Sequence, residues 1–284
     1  MWSLVINVVL TLGKGIIGFV ARSDALIADA AHSATDVAGS IAVLVGIHFA
    51  RRPADDVHPY GHGKAEFIAA SLVAILLVLA GIDVMYKSIM EMFTKLSAPA
   101  PLALYAALVA VVIKEVLYQY QVQVGKRSHS PALIAGAADH RSDVYSSLAA
   151  AVGIVIALIG ARTNQPWMYF ADPIAGLMVA VLVVFVGYRL LRDSFTSLMD
   201  EVLDNATTQL IADTVSCVTG VRRIDDLRVR INGSYWIVDV KISVNPEITV
   251  LQGHQITKDV KAAILERHKE VYDILIHVNP FFAD

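Results

Sequence analysis

Long apolar segments dominate the first two thirds of the chain, and short polar stretches separate them. An α-helix needs about 20 residues to cross the roughly 30 Å hydrocarbon core of a bilayer, and each segment reaches that length. The segments are too long for strands, and few charged residues interrupt them. The pattern therefore predicts six transmembrane helices, at residues 2–21, 25–49, 66–90, 101–123, 132–160 and 169–190.

The last third of the chain has the periodicity of a small water-soluble domain. Two strand-like segments, residues 224–231 and 235–244, alternate apolar and polar positions and flank Asn232-Gly233, a strong hairpin signal. An amphipathic helix precedes them, and a second helix and a third strand follow. The order predicts an α+β layer with the helices on one face of the sheet. We expect a transmembrane domain over residues 1–195 and a cytoplasmic ferredoxin-like domain over residues 196–284.

Composition strengthens the membrane assignment and narrows the function classes. The chain is 56% hydrophobic and only 17% charged, whereas soluble domains are about half apolar and about one quarter charged. A net charge of -3 without a basic cluster argues against nucleic-acid binding. Cys217 is the single cysteine, so neither an intramolecular disulfide nor a cysteine-based zinc cluster is possible. The sequence has no glycine-rich phosphate loop, so no organic cofactor is predicted.

Basic residues indicate how the helices are oriented. They are more frequent after the second, fourth and sixth segments, where Arg52, Lys126 and Arg192 lie, than in the opposite loops. Cytoplasmic loops of membrane proteins are enriched in lysine and arginine. We therefore predict a multi-pass protein of the cell membrane with both termini in the cytoplasm.

Two of the apolar segments contain ionisable residues at helical spacing. His32 and Asp36 lie four residues apart in the second segment, and Asp139 and Asp143 lie four apart in the fifth. Residues with this spacing share one helix face. Charged groups inside a membrane mark functional sites by default. Four nitrogen and oxygen ligands from two helices suit tetrahedral Zn²⁺, and a carboxylate-rich set also admits Mn²⁺, Fe²⁺ or Co²⁺.

Three other interpretations are compatible with these polar residues. They could form a structural network, in which Lys14 neutralises Asp29. They could activate water in an intramembrane metalloenzyme, although the chain contains no His-Glu-x-x-His motif. They could also line a passive divalent cation channel, but four strong ligands would trap an ion that a channel must release.

Three motifs together resemble the cation diffusion facilitator family of divalent-metal exporters. They read ARSDALIADAAHSATDVAGS, DDVHPYGHGKAE and DHRSDVYSS. The resemblance covers nearly the whole chain. It implies a homodimer with six membrane helices and a ferredoxin-like domain that exchanges a cytosolic metal ion for protons by alternating access. Carried over by position, the transport site falls on His32, Asp36, Asp139 and Asp143.

The metal is less well defined than the family. Many zinc exporters of this family have histidine where this chain has Asp139, whereas manganese exporters often carry two aspartates in the fifth helix. Zinc is favoured as the transported ion, manganese is the main alternative, and iron, cadmium and cobalt are further candidates.

The resemblance also implies sites outside the membrane. Asp55, His58 and His62 match the metal site of the loop after the second helix, and Lys64 and Asp200 match a charged interlock near the membrane surface. In the C-terminal domain the resemblance suggests a reduced regulatory metal site, which draws on Asp225, Asp239, His254 and His277. This regulatory site is incomplete, because Lys241 and Asn279 stand where family members have a histidine and an aspartate.

Overall fold

The structure is a computed structural model that describes residues 2–50, 52–94, 97–127 and 131–282. Its first part contains six long α-helices, each of them long and apolar enough to cross a membrane. This confirms the predicted number of spans. The helix ends lie within about four residues of the predicted ones, except that α6 continues to Leu198, well beyond the predicted end at residue 190. The helices are α1 (Trp2–Ala21), α2 (Asp24–Ala50), α3 (Ala65–Met92), α4 (Pro101–Arg127), α5 (Pro131–Thr163) and α6 (Ala171–Leu198).

Small side chains allow the membrane helices to approach one another closely. The largest buried cluster of the helical part is formed mainly by alanines, from α1, α2, α4, α5 and α6. Gly81 of α3 lies against Val184 of α6, and Gly187 of α6 lies against Val78 of α3; a Cβ on either glycine would come within 3 Å of the facing valine. Small residues are typical of packing in lipid, where close van der Waals contact replaces the hydrophobic effect.

The start of α2, which carries half of the candidate site, is fixed by hydrogen bonds. Ser23 precedes the helix, and its hydroxyl accepts from the backbone N–H of Leu26 at 3.2 Å, as an N-cap residue does. The Ser23 hydroxyl also donates to Asp172 of α6 at 2.6 Å, and the backbone N–H of Asp24 donates to the same carboxylate at 2.7 Å. These bonds satisfy backbone donors that a helix leaves free at its first turn.

The C-terminal domain has the predicted order of elements. It consists of α7 (Asn205–Ser216), β1 (Arg223–Asn232), β2 (Tyr235–Val244), α8 (Val250–Arg267) and β3 (Val271–Pro280). The sheet order is β1-β2-β3, with β1 and β2 antiparallel and β2 and β3 parallel. A parallel neighbour requires a crossover connection, and α8 provides it. The predicted fold class, six membrane helices followed by a small α+β domain, is confirmed.

The core of this domain lies between the sheet and the two helices. Val238, Val240 and Ile242 of β2 pack with Ile211 of α7 and Ile264 of α8, and all five are buried. The hairpin turn follows directly after Asn232 and consists of Gly233 and Ser234. Gly233 has a φ of +68°, which glycine adopts more readily than other residues.

The contacts divide the chain into two compact units. The first unit comprises Met1–Ala42 and Ala70–Leu191, and the second comprises Val43–Ala69 and Arg192–Asp284. The loop between α2 and α3 therefore belongs to the same unit as the C-terminal domain. A domain boundary between residues 195 and 196 stays a prediction.

Replacing Thr249 with alanine should destabilise α8. The Thr249 side chain accepts from the backbone N–H of Gln252, and the Gln252 side chain accepts in return from the backbone N–H of Thr249. Loss of such a cap costs about 1 kcal/mol. We expect faster hydrogen–deuterium exchange of the first turns of α8 in the full chain. Thr257→Ala, the same change inside the helix, should leave these amides protected.

Candidate metal centre

Ionisable side chains from three helices meet inside the membrane part. His32 and Asp36 project from α2, Asp143 projects from α5, and Lys114 projects from α4. His32 Nε2 lies 3.5 Å from Asp143 Oδ1, and Lys114 Nζ lies 2.5 Å from Asp143 Oδ2 and 3.7 Å from Asp36 Oδ2. Three of the side chains are buried, and Asp36 is about one third exposed. The structure thus brings together the predicted ligands His32, Asp36 and Asp143.

The fourth predicted ligand, Asp139, belongs to α5, one turn before Asp143, and its side chain lies outside the described part of the structure. His140, the residue after Asp139, has its Nδ1 3.8 Å from Asp143 Oδ2.

A second buried ion pair lies beside the site. Lys14 Nζ of α1 lies 2.7 Å from Asp29 Oδ2 of α2, which is the neutralising contact that the structural interpretation required. The ammonium also donates to the hydroxyls of Ser33 and Ser147, at 3.0 and 2.9 Å. Ser147 donates to Asp29 at 2.7 Å. Lys14 therefore has three oxygen partners, and Asp29 is used in structural pairing.

The loop after α2 gathers three metal-binding side chains. The ligand atoms of Asp55, His58 and His62 all lie within 4.8 Å of one another, and within the described residues no other group of three or more such side chains meets this limit. His58 and Asp55 are about half exposed, and His62 is mostly buried. The backbone N–H of His58 donates to Asp55 and holds the pKa of this carboxyl below its usual value, which favours the ionised ligand.

The same loop is hydrogen-bonded to the hairpin of the C-terminal domain. The Tyr235 hydroxyl donates to the backbone oxygen of Tyr60 at 2.8 Å, and the Asn232 amide donates to the same oxygen at 3.1 Å. The backbone N–H of Gly63 donates to the Tyr235 hydroxyl at 3.3 Å. Three hydrogen bonds thus attach the loop to the residues on either side of the β1–β2 turn.

Lys64 and Asp200, the predicted interlock residues, form an ion pair at 2.9 Å. Lys64 also donates to the backbone oxygen of Leu198, and Arg230 lies 3.9 Å from Asp200. Both members of the pair are more than one third exposed, so the pair by itself contributes under about 1 kcal/mol. Several such contacts in one place can fix the geometry without adding much stability.

The four predicted regulatory ligands do not come together within this chain. Asp239 lies 3.7 Å from Arg230, whereas His254 and His277 are exposed on α8 and β3. Asp225 accepts from Asn279, Ser243 and Arg223. Asn279, in the usual position of an aspartate, therefore has a structural partner.

These contacts have a consequence for the titration of Asp225. The hydrogen bond from Asn279, followed by those from Ser243 and Arg223, lowers the pKa of the carboxyl to about 2. A lowered pKa stabilises the folded domain above the usual value of about 4. That contribution is lost as the pH falls from about 4 to about 2.

Comparison with known proteins identifies the family. Residues 1–199 match the cation efflux transmembrane domain, and residues 203–281 match the cytoplasmic domain of cation efflux proteins. The chain belongs to the cation diffusion facilitator family. The resemblance carried by the three motifs is confirmed, and the chain is a multi-pass membrane transporter that exports divalent metal ions rather than an enzyme.

Similar proteins from bacteria align with almost the whole chain. The manganese efflux system protein MneP of Bacillus subtilis is 38% identical over 282 residues, which cover 99% of this chain and 95% of that protein. The magnetosome protein MamB of Paramagnetospirillum magneticum is 32% identical, covering 98% and 92%. A second manganese efflux system protein of Bacillus subtilis, MneS, is 29% identical, covering 98% and 93%.

Lys114 is the site residue that the sequence analysis missed. A single lysine in the apolar run of α4 is the same kind of signal as Asp29 in α2, because a charge inside a membrane needs a partner. The predicted span of residues 101–123 contains both Lys114 and Glu115, and the sequence alone does not distinguish them. The structure does, since Lys114 is fully buried and its ammonium contacts Asp143.

Substituting Gly63 with alanine should detach the loop from the hairpin. A Cβ at this position would overlap the backbone oxygen of Asn232, which belongs to a strand end and cannot move aside freely. Overpacking of this kind costs about 1–3 kcal/mol. We expect faster hydrogen–deuterium exchange of residues 57–64 in the full chain. Gly253→Ala, where the nearest atom lies 3.9 Å away, should leave this exchange unchanged.

Proposed function

We propose that the chain exports Mn²⁺ from the cytoplasm in exchange for protons, with His32, Asp36, Asp139 and Asp143 as the transport ligands. The observation that carries the proposal is the convergence of His32, Asp36 and Asp143 from α2 and α5 inside the apolar part of the chain. Carboxylates inside a membrane domain need a cationic partner. A set that converges with an imidazole from another helix is suited to bind a metal ion. Asp139, one helical turn before Asp143, adds a third carboxylate to the set.

The choice of manganese follows from ligand chemistry and from the relatives. Carboxylate oxygens are hard ligands that suit Mn²⁺, whereas Zn²⁺ prefers nitrogen and sulfur. Two of the relatives are named manganese efflux system proteins. Zinc is the second candidate, because the His32 imidazole is a good zinc ligand and a four-ligand set can be tetrahedral.

Proton exchange follows from competition for the same atoms. Imidazole and carboxylate bind a metal only when they are deprotonated, so protons entering from outside favour release of the ion. We propose alternating access, in which α2 and α5 present the ligands first to the cytoplasm and then to the outside. We propose as well that both termini lie in the cytoplasm, which places the C-terminal domain there.

A homodimer is part of the proposal. The C-terminal domain is small, and small domains bury a lower fraction of their surface on folding, so a partner would add stability. Its described surface includes several large exposed apolar side chains, which an interface would cover. They include Leu210, Val250, Leu251 and Leu275.

Asp143→Asn should abolish transport. In proteoliposomes with an imposed pH gradient, we expect saturable Mn²⁺ uptake by the wild type, and an initial rate at least about tenfold lower in the variant, because a direct ligand is lost. When the pH gradient is dissipated, the uptake rate of the wild type should fall to that of liposomes without protein. Asp83→Asn is the matched control, since Asp83 lies in α3, is more than half exposed and pairs with Lys87.

Undiminished uptake by Asp143→Asn would show that the polar residues of α2 and α5 are structural. Faster uptake of Zn²⁺ than of Mn²⁺ by the wild type would change the proposed ion but not the site. Uptake that ignores the pH gradient and does not saturate would favour a channel.

We further propose that Asp55, His58 and His62 bind a second ion, because one carboxylate and two imidazoles converge there. His62→Ala should lower the number of Mn²⁺ ions bound per chain by one, as measured by equilibrium dialysis and elemental analysis of the purified full chain. His48→Ala, which removes an exposed histidine from α2, should leave the number unchanged. Equal stoichiometry of His62→Ala and the wild type would remove the loop from the proposal.

A further inference from the structure

The Lys114 ammonium lies between two of the carboxylates assigned to metal transport. Its side chain is 0% exposed, and its described partners are Asp143 Oδ2 at 2.5 Å and Asp36 Oδ2 at 3.7 Å. The other oxygen of Asp143 faces His32 at 3.5 Å. Lys114 therefore joins α4 to the two helices that supply the ligands, although its own chemistry gives it no role as a ligand while protonated.

A metal ion and this ammonium cannot use the same carboxylates together. A divalent transition-metal ion lies about 2.1 Å from a carboxylate oxygen. An ion held by Asp36 and Asp143 would thus occupy the space that Nζ fills. Two positive charges at so short a distance in a poorly solvated site also repel each other strongly.

The described ligands do not form a compact metal-binding group. The ligand atoms of His32, Asp36 and Asp143 do not all lie within 4.8 Å of one another. Among the described residues, only Asp55, His58 and His62 of the loop meet that limit. Metal coordination requires the two carboxylates to turn toward a common point, and both already face Lys114 Nζ. Its flexible four-carbon stem allows the ammonium to leave without a movement of the helix backbone.

We propose that Lys114 is a tethered cation that competes with the transported metal ion for Asp36 and Asp143. This inference rests on the proposed function of these carboxylates. Metal binds only when the ammonium has moved aside, and the ammonium returns to the carboxylates when the ion leaves. Lys114 is in this sense a positioning residue that weakens binding and assists release.

Competition of this kind has a quantitative signature. The apparent affinity is the intrinsic affinity multiplied by the fraction of molecules in which the ammonium is displaced. That fraction is a property of the protein and does not depend on the ion. Lys114 should therefore weaken Mn²⁺ and Zn²⁺ binding by the same factor, which sets the concentration at which the exporter works and leaves its selectivity unchanged.

The chain offers a matched control in Lys14. This lysine is also buried and also pairs with an aspartate, but its ammonium contacts Asp29, Ser33 and Ser147. None of these residues is a proposed ligand. A general effect of removing a buried ammonium should appear in variants of both lysines, whereas competition with the metal should appear only in variants of Lys114.

The test compares Lys114→Met and Lys14→Met with the wild type, as full chains purified in detergent. Methionine keeps an unbranched side chain of similar length and removes the charge. We expect the dissociation constants of Lys114→Met for Mn²⁺ and for Zn²⁺ to fall at least about tenfold, by a common factor. In proteoliposomes its KM and its kcat should both fall, because release is no longer assisted. Lys14→Met should keep both dissociation constants within about threefold.

Unchanged or weaker metal binding by Lys114→Met would overturn the inference and leave Lys114 as a neutralising partner only. Tighter binding of one ion alone would overturn it as well. Because Lys114→Met could fail to fold, a wild-type measurement stands beside it. In a structure of the Mn²⁺-bound full chain we expect Nζ to lie more than about 5 Å from Asp143, and an ammonium still in contact with Asp143 would contradict the proposal.

The result for Asp143→Asn separates this inference from the proposed function. If that variant binds Mn²⁺ as tightly as the wild type, the proposed transport site is wrong, and the inference fails with it. If Asp143→Asn loses binding while Lys114→Met binds like the wild type, the site stands and only the role of Lys114 is wrong.

Discussion

The membrane domain is organised by the need to neutralise two lysines inside an apolar helix bundle. An unpaired ammonium in such surroundings is strongly unfavourable, so each lysine must find an anionic partner on another helix. Lys14 of α1 finds Asp29 of α2, and Lys114 of α4 finds Asp143 of α5. Alanine-rich surfaces let the helices approach, but they carry little directional information. The two ion pairs add such information, because each joins one specific residue of one helix to one specific residue of another.

The two pairs satisfy the same physical requirement in different ways. Lys14 has a carboxylate and two serine hydroxyls as partners, so its three N–H groups are satisfied locally. Lys114 contacts carboxylates from α2 and α5, and those carboxylates are suited to bind a divalent ion. A buried ion pair adds little net stability compared with apolar packing. Its presence in α4 is therefore better explained by exchange with another cation than by stability.

Much of the architecture could be predicted from the sequence, because it follows from the length of the apolar segments and from the periodicity of apolar residues. Six apolar segments gave six helices, and alternation around Asn232-Gly233 gave the β1–β2 hairpin. His32 with Asp36 could be found from their spacing alone. Lys114 gave a comparable signal as a charge in an apolar segment, but its partners could not be predicted, since they lie in other helices and Asp143 is 29 residues away along the chain. The same limit applies to Asn279, because its hydrogen bond to Asp225 joins two different strands. It also applies to the loop between α2 and α3, because Tyr60 and its partner Tyr235 are 175 residues apart along the chain.

A tethered competitor limits what can determine the choice of metal. Displacing Lys114 weakens the binding of every divalent ion equally, so discrimination must come from the ligands themselves. At a site of nitrogen and oxygen ligands Zn²⁺ binds more tightly than Mn²⁺, whatever the biological ion is. An exporter built on such a site can favour manganese only through geometry, ligand number or the concentrations that each ion reaches in the cell. A site with weakened affinity would favour manganese wherever free Mn²⁺ is more abundant than free Zn²⁺. The more abundant ion would then fill the site, whereas the ion kept at a low free concentration would not.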